Sequence, residues 1–149
     1  MKLRKFAQEL RGFTLIEILV TIGVAGILMG IAVPAFYTVL PGIRLASAAR
    51  QVATDLQLAR MRAISQRVPQ GLTFDTATTY TINPDCIGTI GPDTRNLTLL
   101  YPGTTVTVAP GNPCFTTVGA ANVTTITLSN NGLPPRIVTV NAAGKIFTQ

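Results

Sequence analysis

The sequence predicts an α+β protein in which a long N-terminal helix packs its second half against an antiparallel β-sheet. An uncharged apolar run follows a short basic segment near the N-terminus, and an amphipathic helical pattern follows that run. Beyond residue 70, short β-prone runs alternate with turn residues. The length of 149 residues suits one domain plus an anchor.

The apolar run contains no charged residue from Ile18 to Ile43, and about 20 residues suffice to span a bilayer. A secretory signal places its small cleavage residues after the apolar core, whereas Gly12 lies before this one. A cut at Gly12 would therefore leave the run in place as an anchor. An ordinary single-pass anchor fits the composition equally well. The basic residues before the run favour a cytoplasmic N-terminal end, and they are Lys2, Arg4, Lys5 and Arg11.

Glu17 lies one helical turn inside this run, and the next charged residue is Arg44. A lone charged side chain in hydrocarbon costs at least about 2.5–3.5 kcal/mol. The sequence therefore predicts a partner for the Glu17 carboxylate. The alternatives are a pair within one chain and a carboxylate that reaches the membrane surface.

The segment Gly12-Phe13-Thr14-Leu15-Ile16-Glu17 resembles the processing site of type IV prepilins and type II secretion pseudopilins. The resemblance implies that residues 1–12 are a leader peptide, which a prepilin peptidase removes by cutting between Gly12 and Phe13. It implies N-methylation of Phe13. It also implies that residues 13–42 form a transmembrane helix through which subunits polymerise.

The expected assembly contact joins two charges. After the cut, Phe13 would carry a free ammonium group four residues before Glu17, on the same helix face. The carboxylate of one subunit could neutralise the ammonium of its neighbour, because a paired buried charge is tolerated where a lone one is costly. Only one axial offset between subunits satisfies both charges, so the pair would set the register of a filament.

Glycines and prolines interrupt the apolar sequence of this helix. Gly23, Gly26 and Gly30 recur at near-helical spacing, which allows helices to approach closely. Pro34 lies where pilin helices commonly carry a proline, and we expect a kink there. We expect a second break at Pro41-Gly42.

Residues 43–68 form a predicted amphipathic helix without proline or glycine. Asp55 and most arginines fall off its apolar stripe. We expect Arg60, Arg62 and Arg67 to complement the C-terminal end of the helix; the alternative is contact with nucleic acid or an acidic partner. The apolar stripe recurs at steps of three and four and comprises Leu45, Ala49, Val52, Leu56, Ala59 and Ala63.

The predicted strands lie at Leu72–Phe74, Thr78–Ile82, Leu97–Leu100, Thr104–Val108, Thr124–Leu128, Ile137–Val140 and Lys145–Phe147. Residues 55–64 and the last strands resemble the GspH/FimT branch of the pilin-like family. The resemblance implies a pilin-like fold and a periplasmic domain at residues 43–149. In that domain, helix 43–68 would pack on a sheet formed by residues 70–149.

Cys86 and Cys114 both fall in loop-like stretches beyond the apolar run. An even number of cysteines in an exported domain predicts one disulfide. Closing a loop of this length would stabilise the fold by about 3–4 kcal/mol. The alternative is a pair of free buried thiols.

The composition argues against catalysis. The chain has no histidine, its acidic residues are scattered, and no glycine-rich loop joins a strand to a helix. A nucleophile with its base, a set of metal ligands and a phosphate cradle are therefore all missing. We predict no enzymatic activity, no metal and no cofactor.

The predicted function is that of a structural subunit, a minor pseudopilin of the GspH kind in a type II secretion pseudopilus. The alternatives are a minor type IV pilin of the FimT/FimU kind and a DNA-binding pilin used in natural transformation. Some FimT-type minor pilins are thought to grip DNA through a basic C-terminal tail, whereas this tail carries Lys145 alone, with Arg136 as a second candidate. Half of the net charge of +6 lies in the leader, which further disfavours nucleic acid as a partner.

The expected partners are a prepilin peptidase, other pilins or pseudopilins, and the inner membrane. The chain would cross the bacterial inner membrane once, with its C-terminal domain in the periplasm. It would then join a periplasmic or cell-surface filament.

Overall fold

The computed structural model describes residues 12–84, 86 and 93–149. The predicted leader, apart from Gly12, lies outside the described residues. The chain divides after Thr38 into two units, and each is described by itself below.

Helix α1 spans Leu15–Gln66, and its first part belongs to the N-terminal unit. Every side chain from Gly12 to Thr38 is exposed, and the helix is long and apolar enough to cross a membrane. Its threonines satisfy their hydroxyl groups locally: Thr21 donates to the Ile18 carbonyl and Thr38 to the Ala35 carbonyl, each at 2.8 Å. Such bonds remove the need for water around these hydroxyls in an apolar setting.

Helix α1 continues through both of its prolines. The break predicted at Pro41-Gly42 is therefore wrong: a proline removes one backbone donor, and the hydrogen bonds on either side maintain the helix. The kink expected at Pro34 stays a prediction.

The second unit is built on the last turns of α1. The predicted apolar stripe is confirmed, since all six of its residues are buried. Ala48 is also fully buried beside them. Because four of these seven side chains are alanines, the sheets can approach the helix closely. The helix ends at Gln66, and Arg67 follows with a φ of 55° before Pro69.

One antiparallel sheet contains the strands β1 (Gln70–Phe74), β2 (Thr79–Pro84), β3 (Thr94–Asn96) and β5 (Cys114–Phe115) in the order β3-β2-β1-β5. The other contains β4 (Thr104–Ala109), β6 (Thr124–Asn130), β7 (Arg136–Val140) and β8 (Ile146–Thr148) in the order β4-β6-β7-β8. All pairings are antiparallel, as predicted, but they form two sheets.

The register buries one face of each sheet. Leu72 pairs with Ile82 in the first sheet, and Ile126 pairs with Val138 in the second. Alternate residues of strand β6 face the interior, because Thr124, Ile126 and Leu128 are buried.

The strand predicted at Leu97–Leu100 is wrong, because these residues form the short helix α2. Asn96 caps it, and its side-chain oxygen accepts a hydrogen bond from the Leu99 amide at 3.1 Å. Leu97 is buried while Leu99 and Leu100 are exposed. The short strands β3 and β5 were not predicted.

The structure contains the predicted disulfide between Cys86 and Cys114, whose Cα atoms lie 5.6 Å apart. Gly71 lies under this bridge in β1. A Cβ atom there would come within 2.5 Å of the Pro113 carbonyl oxygen and 3.0 Å of the Cys86 sulfur. The disulfide and the β1–β5 pairing therefore require a glycine at this position.

Candidate functional site

The first turn of α1 is capped by Thr14. The Glu17 amide donates to the Thr14 hydroxyl oxygen at 3.3 Å and to the Thr14 carbonyl oxygen at 3.1 Å. Threonine three residues before a glutamate is the capping-box spacing, which fixes where a helix begins. Thr14 was not among the predicted site residues, although its spacing from Glu17 is a sequence signal for this cap.

Gly12 and Phe13 precede the helix and are exposed. No atom lies within 4 Å of a Cβ placed on Gly12. The described chain therefore gives no steric reason for a glycine at this position. A requirement for a small residue here has to come from another molecule, such as the peptidase expected from the motif.

Glu17 is the acidic residue in the first turn of α1, where the helix dipole favours a negative charge. Its carboxylate is exposed, and within the described residues it makes no side-chain hydrogen bond or ion pair. Among the residues that the structure describes, the predicted partner of Glu17 is therefore not found.

The glycines along the apolar part of α1 also make no packing contact with other described residues. Cβ atoms placed on Gly23, Gly26 and Gly30 meet nothing within 4 Å. These positions cost helix stability, at about 1 kcal/mol per glycine relative to alanine. A gain from close contact with other helices would offset that cost.

The domain interior contains a polar cluster around Asp55, so the prediction that Asp55 lies off the buried face of the helix is wrong. Asp55 is 3% exposed and lies on the buried face of α1. The Tyr80 hydroxyl donates to its Oδ2 atom at 2.5 Å, and Gln51 Nε2 lies 3.2 Å from both carboxylate oxygens. Arg95 Nε lies 3.9 Å from the same carboxylate. The cluster connects α1 to β2 and β3.

Burial raises the pKa of the Tyr80 hydroxyl well above its usual value, and the hydrogen bond to Asp55 acts in the same direction. Tyr80 therefore stays protonated and remains a donor. Removing one donor from a buried carboxylate costs about 1–3 kcal/mol. The cluster thus stabilises the helix–sheet contact.

The arginines near the end of α1 contact other parts of the domain. Arg60 donates from Nε to the Gly119 carbonyl at 3.1 Å and from Nη2 to the Ala143 carbonyl at 3.3 Å. Arg62 Nη1 forms an ion pair with Asp93 Oδ2 at 2.6 Å. The last turn of the helix contains no basic residue, so the prediction that Arg60 and Arg62 complement the helix terminus is wrong. For Arg67, which follows the last helical residue, it stays a prediction. Loop carbonyls and a loop carboxylate are stronger, directional acceptors within their reach.

The two candidate nucleic-acid residues lie apart. Arg136 begins β7 and lines an open cleft with Ala46, Ala49, Arg50, Thr148 and Gln149. Lys145 lies at the other end of β8 and does not line this cleft. In the part of the chain that the structure describes, no group of three or more His, Cys, Asp or Glu residues could hold a metal.

A long apolar helix that continues into a domain of two antiparallel sheets defines the class of pilin-like filament subunits. The family model for the type II transport protein GspH matches residues 48–144, and the chain belongs to this family. The prokaryotic N-terminal methylation motif matches residues 11–33. No curated protein sequence matches the chain closely enough to add a relative.

Solved structures share the fold. The type IV minor pilin FimU of Pseudomonas aeruginosa is 22% identical, with a TM-score of 0.59 over 70% of this chain and 87% of that one. The minor pseudopilin EpsH from the type 2 secretion system of Vibrio cholerae is 14% identical, with a TM-score of 0.56 over 71% and 96%. Escherichia coli GspH is 13% identical, with a TM-score of 0.57 over 74% and 90%. The predicted pilin-like α+β fold is confirmed.

Proposed function

We propose that this chain is a minor pseudopilin of the GspH kind, which a prepilin peptidase cuts between Gly12 and Phe13 and which assembles through α1. The observation that carries the proposal is Glu17, a carboxylate without a partner among the described residues, in the exposed apolar part of α1. In a filament, the apolar surface of this helix would be buried against other subunits or lipid. A charge in that setting needs a partner.

The cut supplies the partner. It would create an ammonium group on Phe13, one residue before the capping threonine Thr14. The cap fixes the start of the helix and so fixes the axial distance between ammonium and carboxylate. A neighbouring subunit that presents its Phe13 ammonium to Glu17 would satisfy both charges at one register. Methylation of Phe13 would keep the positive charge while it reduces the number of donors.

The expected topology follows from the same helix. Residues 13–42 would cross the inner membrane, with residues 43–149 on the periplasmic side. The disulfide between Cys86 and Cys114 suits that oxidising compartment. Partners would be the peptidase and the other subunits of the filament. A type IV pilus is the alternative filament, because the fold matches that of FimU at a TM-score of 0.59 and that of EpsH at 0.56.

The test of assembly is the substitution Glu17→Gln, which keeps the shape of the side chain and removes its charge. We expect the variant to be membrane-inserted at wild-type levels and to be lost from sheared filaments. Thr21→Val is the matched control, because the Thr21 hydroxyl bonds only to its own helix. Incorporation of Glu17→Gln at the level of the control would contradict the proposed pairing. Purifying both secretion pseudopili and type IV pili shows which filament contains the chain.

The test of processing is Gly12→Phe, which places a bulky residue at the proposed cut. Because no described atom would contact a Cβ atom on Gly12, the substitution should leave the fold unchanged. We expect the leader to be retained, which intact-mass measurement of the membrane-bound protein detects directly. A mature protein of wild-type length and a methylated Phe13 in this variant would overturn the proposed cleavage site.

A further inference from the structure

Strand β8 is a free sheet edge. It is the last strand in the order β4-β6-β7-β8. The Gln149 amide donates to the Ile137 carbonyl at 2.8 Å, and the Lys145 carbonyl accepts from Asn141 at 3.0 Å, so alternate residues of β8 face β7. Ile146 and Thr148 between them direct their amides and carbonyls away from the sheet. Those groups make no hydrogen bond to any residue in the described part of the chain.

A cleft of about 380 Å³ opens at the end of this edge. Ala46 and Ala49 of α1 form one wall, and Thr148 and Gln149 form another. The small alanine side chains leave space between the helix and the end of β8. Thr148 therefore contributes both a cleft-lining side chain and an unpaired backbone amide.

Two arginines make the cleft basic. Arg50 on α1 and Arg136 at the start of β7 both line it. Each is exposed, and neither guanidinium group has a hydrogen bond or ion pair with any described residue. Arg60 and Arg62 of the same helix, by contrast, donate hydrogen bonds to loop carbonyls and to a loop carboxylate.

We infer that this cleft and the free edge of β8 bind an acidic, extended segment of a different protein. The segment would pair its backbone with Ile146 and Thr148, which is strand addition to an exposed edge. Its carboxylates would face Arg50 and Arg136. Arginine suits this role, because its planar guanidinium can form two parallel bonds to one carboxylate.

The described residues of a second copy of this chain offer no such segment. Of the described carboxylates, Asp55 is buried, Asp93 pairs with Arg62, and Glu17 lies on the apolar helix. The remaining one, Asp75, accepts from Thr81 at the β1–β2 turn and is not in an extended strand. On the described residues, a different polypeptide therefore fits this role better than a second copy does.

Nucleic acid fits the cleft less well. A phosphate backbone offers no alternating donors and acceptors for the amides and carbonyls of Ile146 and Thr148. Sequence-independent nucleic-acid binding also draws its affinity from several cations along a surface, whereas this cleft contains two arginines. The experiment therefore has to distinguish binding of an acidic peptide from binding of single-stranded DNA.

The experiment uses the full chain in detergent micelles and a short fluorescent peptide of alternating aspartate and valine. A peptide of alternating lysine and valine and a single-stranded DNA oligonucleotide are the comparison probes. Fluorescence anisotropy gives the affinities, and NMR hydrogen exchange reports on individual amides. We expect the acidic peptide alone to bind, with slowed exchange at Ile146 and Thr148.

Two pairs of variants test the contacts. Arg50→Glu should weaken binding of the acidic peptide by at least about tenfold, the loss expected for one charge-assisted contact. Arg67→Glu, which makes the same charge change on an exposed residue outside the cleft, should have no effect. Thr148→Pro removes the backbone amide that points away from the sheet and keeps the hydrogen bonds to β7, so it should abolish binding of the acidic peptide. Thr148→Val is the control, because it keeps that amide, and it should bind the peptide as the wild type does.

The inference is overturned if the acidic peptide does not bind to the folded chain, or if Arg50→Glu and Thr148→Pro bind it normally. It is also overturned if DNA binds in preference to the peptide without protection of Ile146, since the cleft would then be a nucleic-acid surface. None of these results depends on Glu17. Incorporation of the chain into a filament can therefore succeed or fail independently.

Discussion

The Tyr80 hydroxyl donates a hydrogen bond of 2.5 Å to the carboxylate of Asp55 in the interior of the domain. Asp55 comes from the helix and Tyr80 from strand β2, so the bond fixes the position of one element on the other. Both residues are almost completely buried. A buried carboxylate depends on its donors, because water cannot replace them.

Tyr80→Phe removes one donor and keeps the aromatic ring. We expect the free energy of unfolding to fall by about 1–3 kcal/mol, because Asp55 is left with an incompletely satisfied charge. Urea denaturation followed by circular dichroism measures the difference. Tyr101→Phe is the matched control, since the Tyr101 hydroxyl has no hydrogen bond to any described residue. Equal stabilities of the two variants would show that the Asp55–Tyr80 bond contributes nothing.

The same pair predicts a loss of stability in alkali. Burial raises the pKa of Tyr80 in the folded state above its unfolded value of 10.0. A raised pKa means that the stabilisation is complete below the unfolded pKa and is lost as pH rises above it. Above a pH of about 10, the wild type should lose up to about 1.4 kcal/mol per pH unit through this group. The stability difference between wild type and Tyr80→Phe should therefore shrink between about pH 9 and pH 11, and a constant difference would contradict the assignment.

The Cys86–Cys114 bridge closes a loop with a sequence separation of 28. Replacing both cysteines by serine should reduce the free energy of unfolding by about 3–4 kcal/mol, because the unfolded chain regains the freedom of that loop. Thermal unfolding measures the change in Tm. A reducing agent supplies the control: it should lower the Tm of the wild type and leave that of the double variant unchanged. A wild type that is insensitive to reduction would show that the bridge does not stabilise the domain.

Several elements could be predicted from the sequence because they depend on local patterns. The buried stripe from Leu45 to Ala63 follows from helical spacing, and the candidate assembly site follows from the motif that joins Gly12, Phe13 and Glu17. The helix α2 was missed because Leu97–Leu100 is apolar and the Asn96 cap before it received no weight. In each of these cases the information lies within a few residues.

The buried Asp55 could not be predicted in the same way. Its spacing from Gln51 is typical of an exposed helix face, and burial is favourable only because Tyr80 and Arg95 reach it from other elements. The strand β5 is likewise a tertiary effect, since it has two residues and pairs where the disulfide and Gly71 bring the chains together.

Alanine substitutions at Gly144 and Gly132 distinguish the cost of an unfavourable backbone conformation from the cost of a steric clash. Both have positive φ, at 70° and 81°, so alanine costs about 1–2 kcal/mol at either position. A Cβ on Gly144 would also lie 2.0 Å from the Gly119 carbonyl oxygen and 3.0 Å from Arg60 Nε, whereas a Cβ on Gly132 meets nothing. The substitution Gly144→Ala would push apart the turns at Gly119 and Gly144 and disturb the hydrogen bonds of Arg60. We therefore expect it to lower the free energy of unfolding, measured by urea denaturation, clearly more than Gly132→Ala does. Equal losses for the two variants would show that the two turns can move apart without cost.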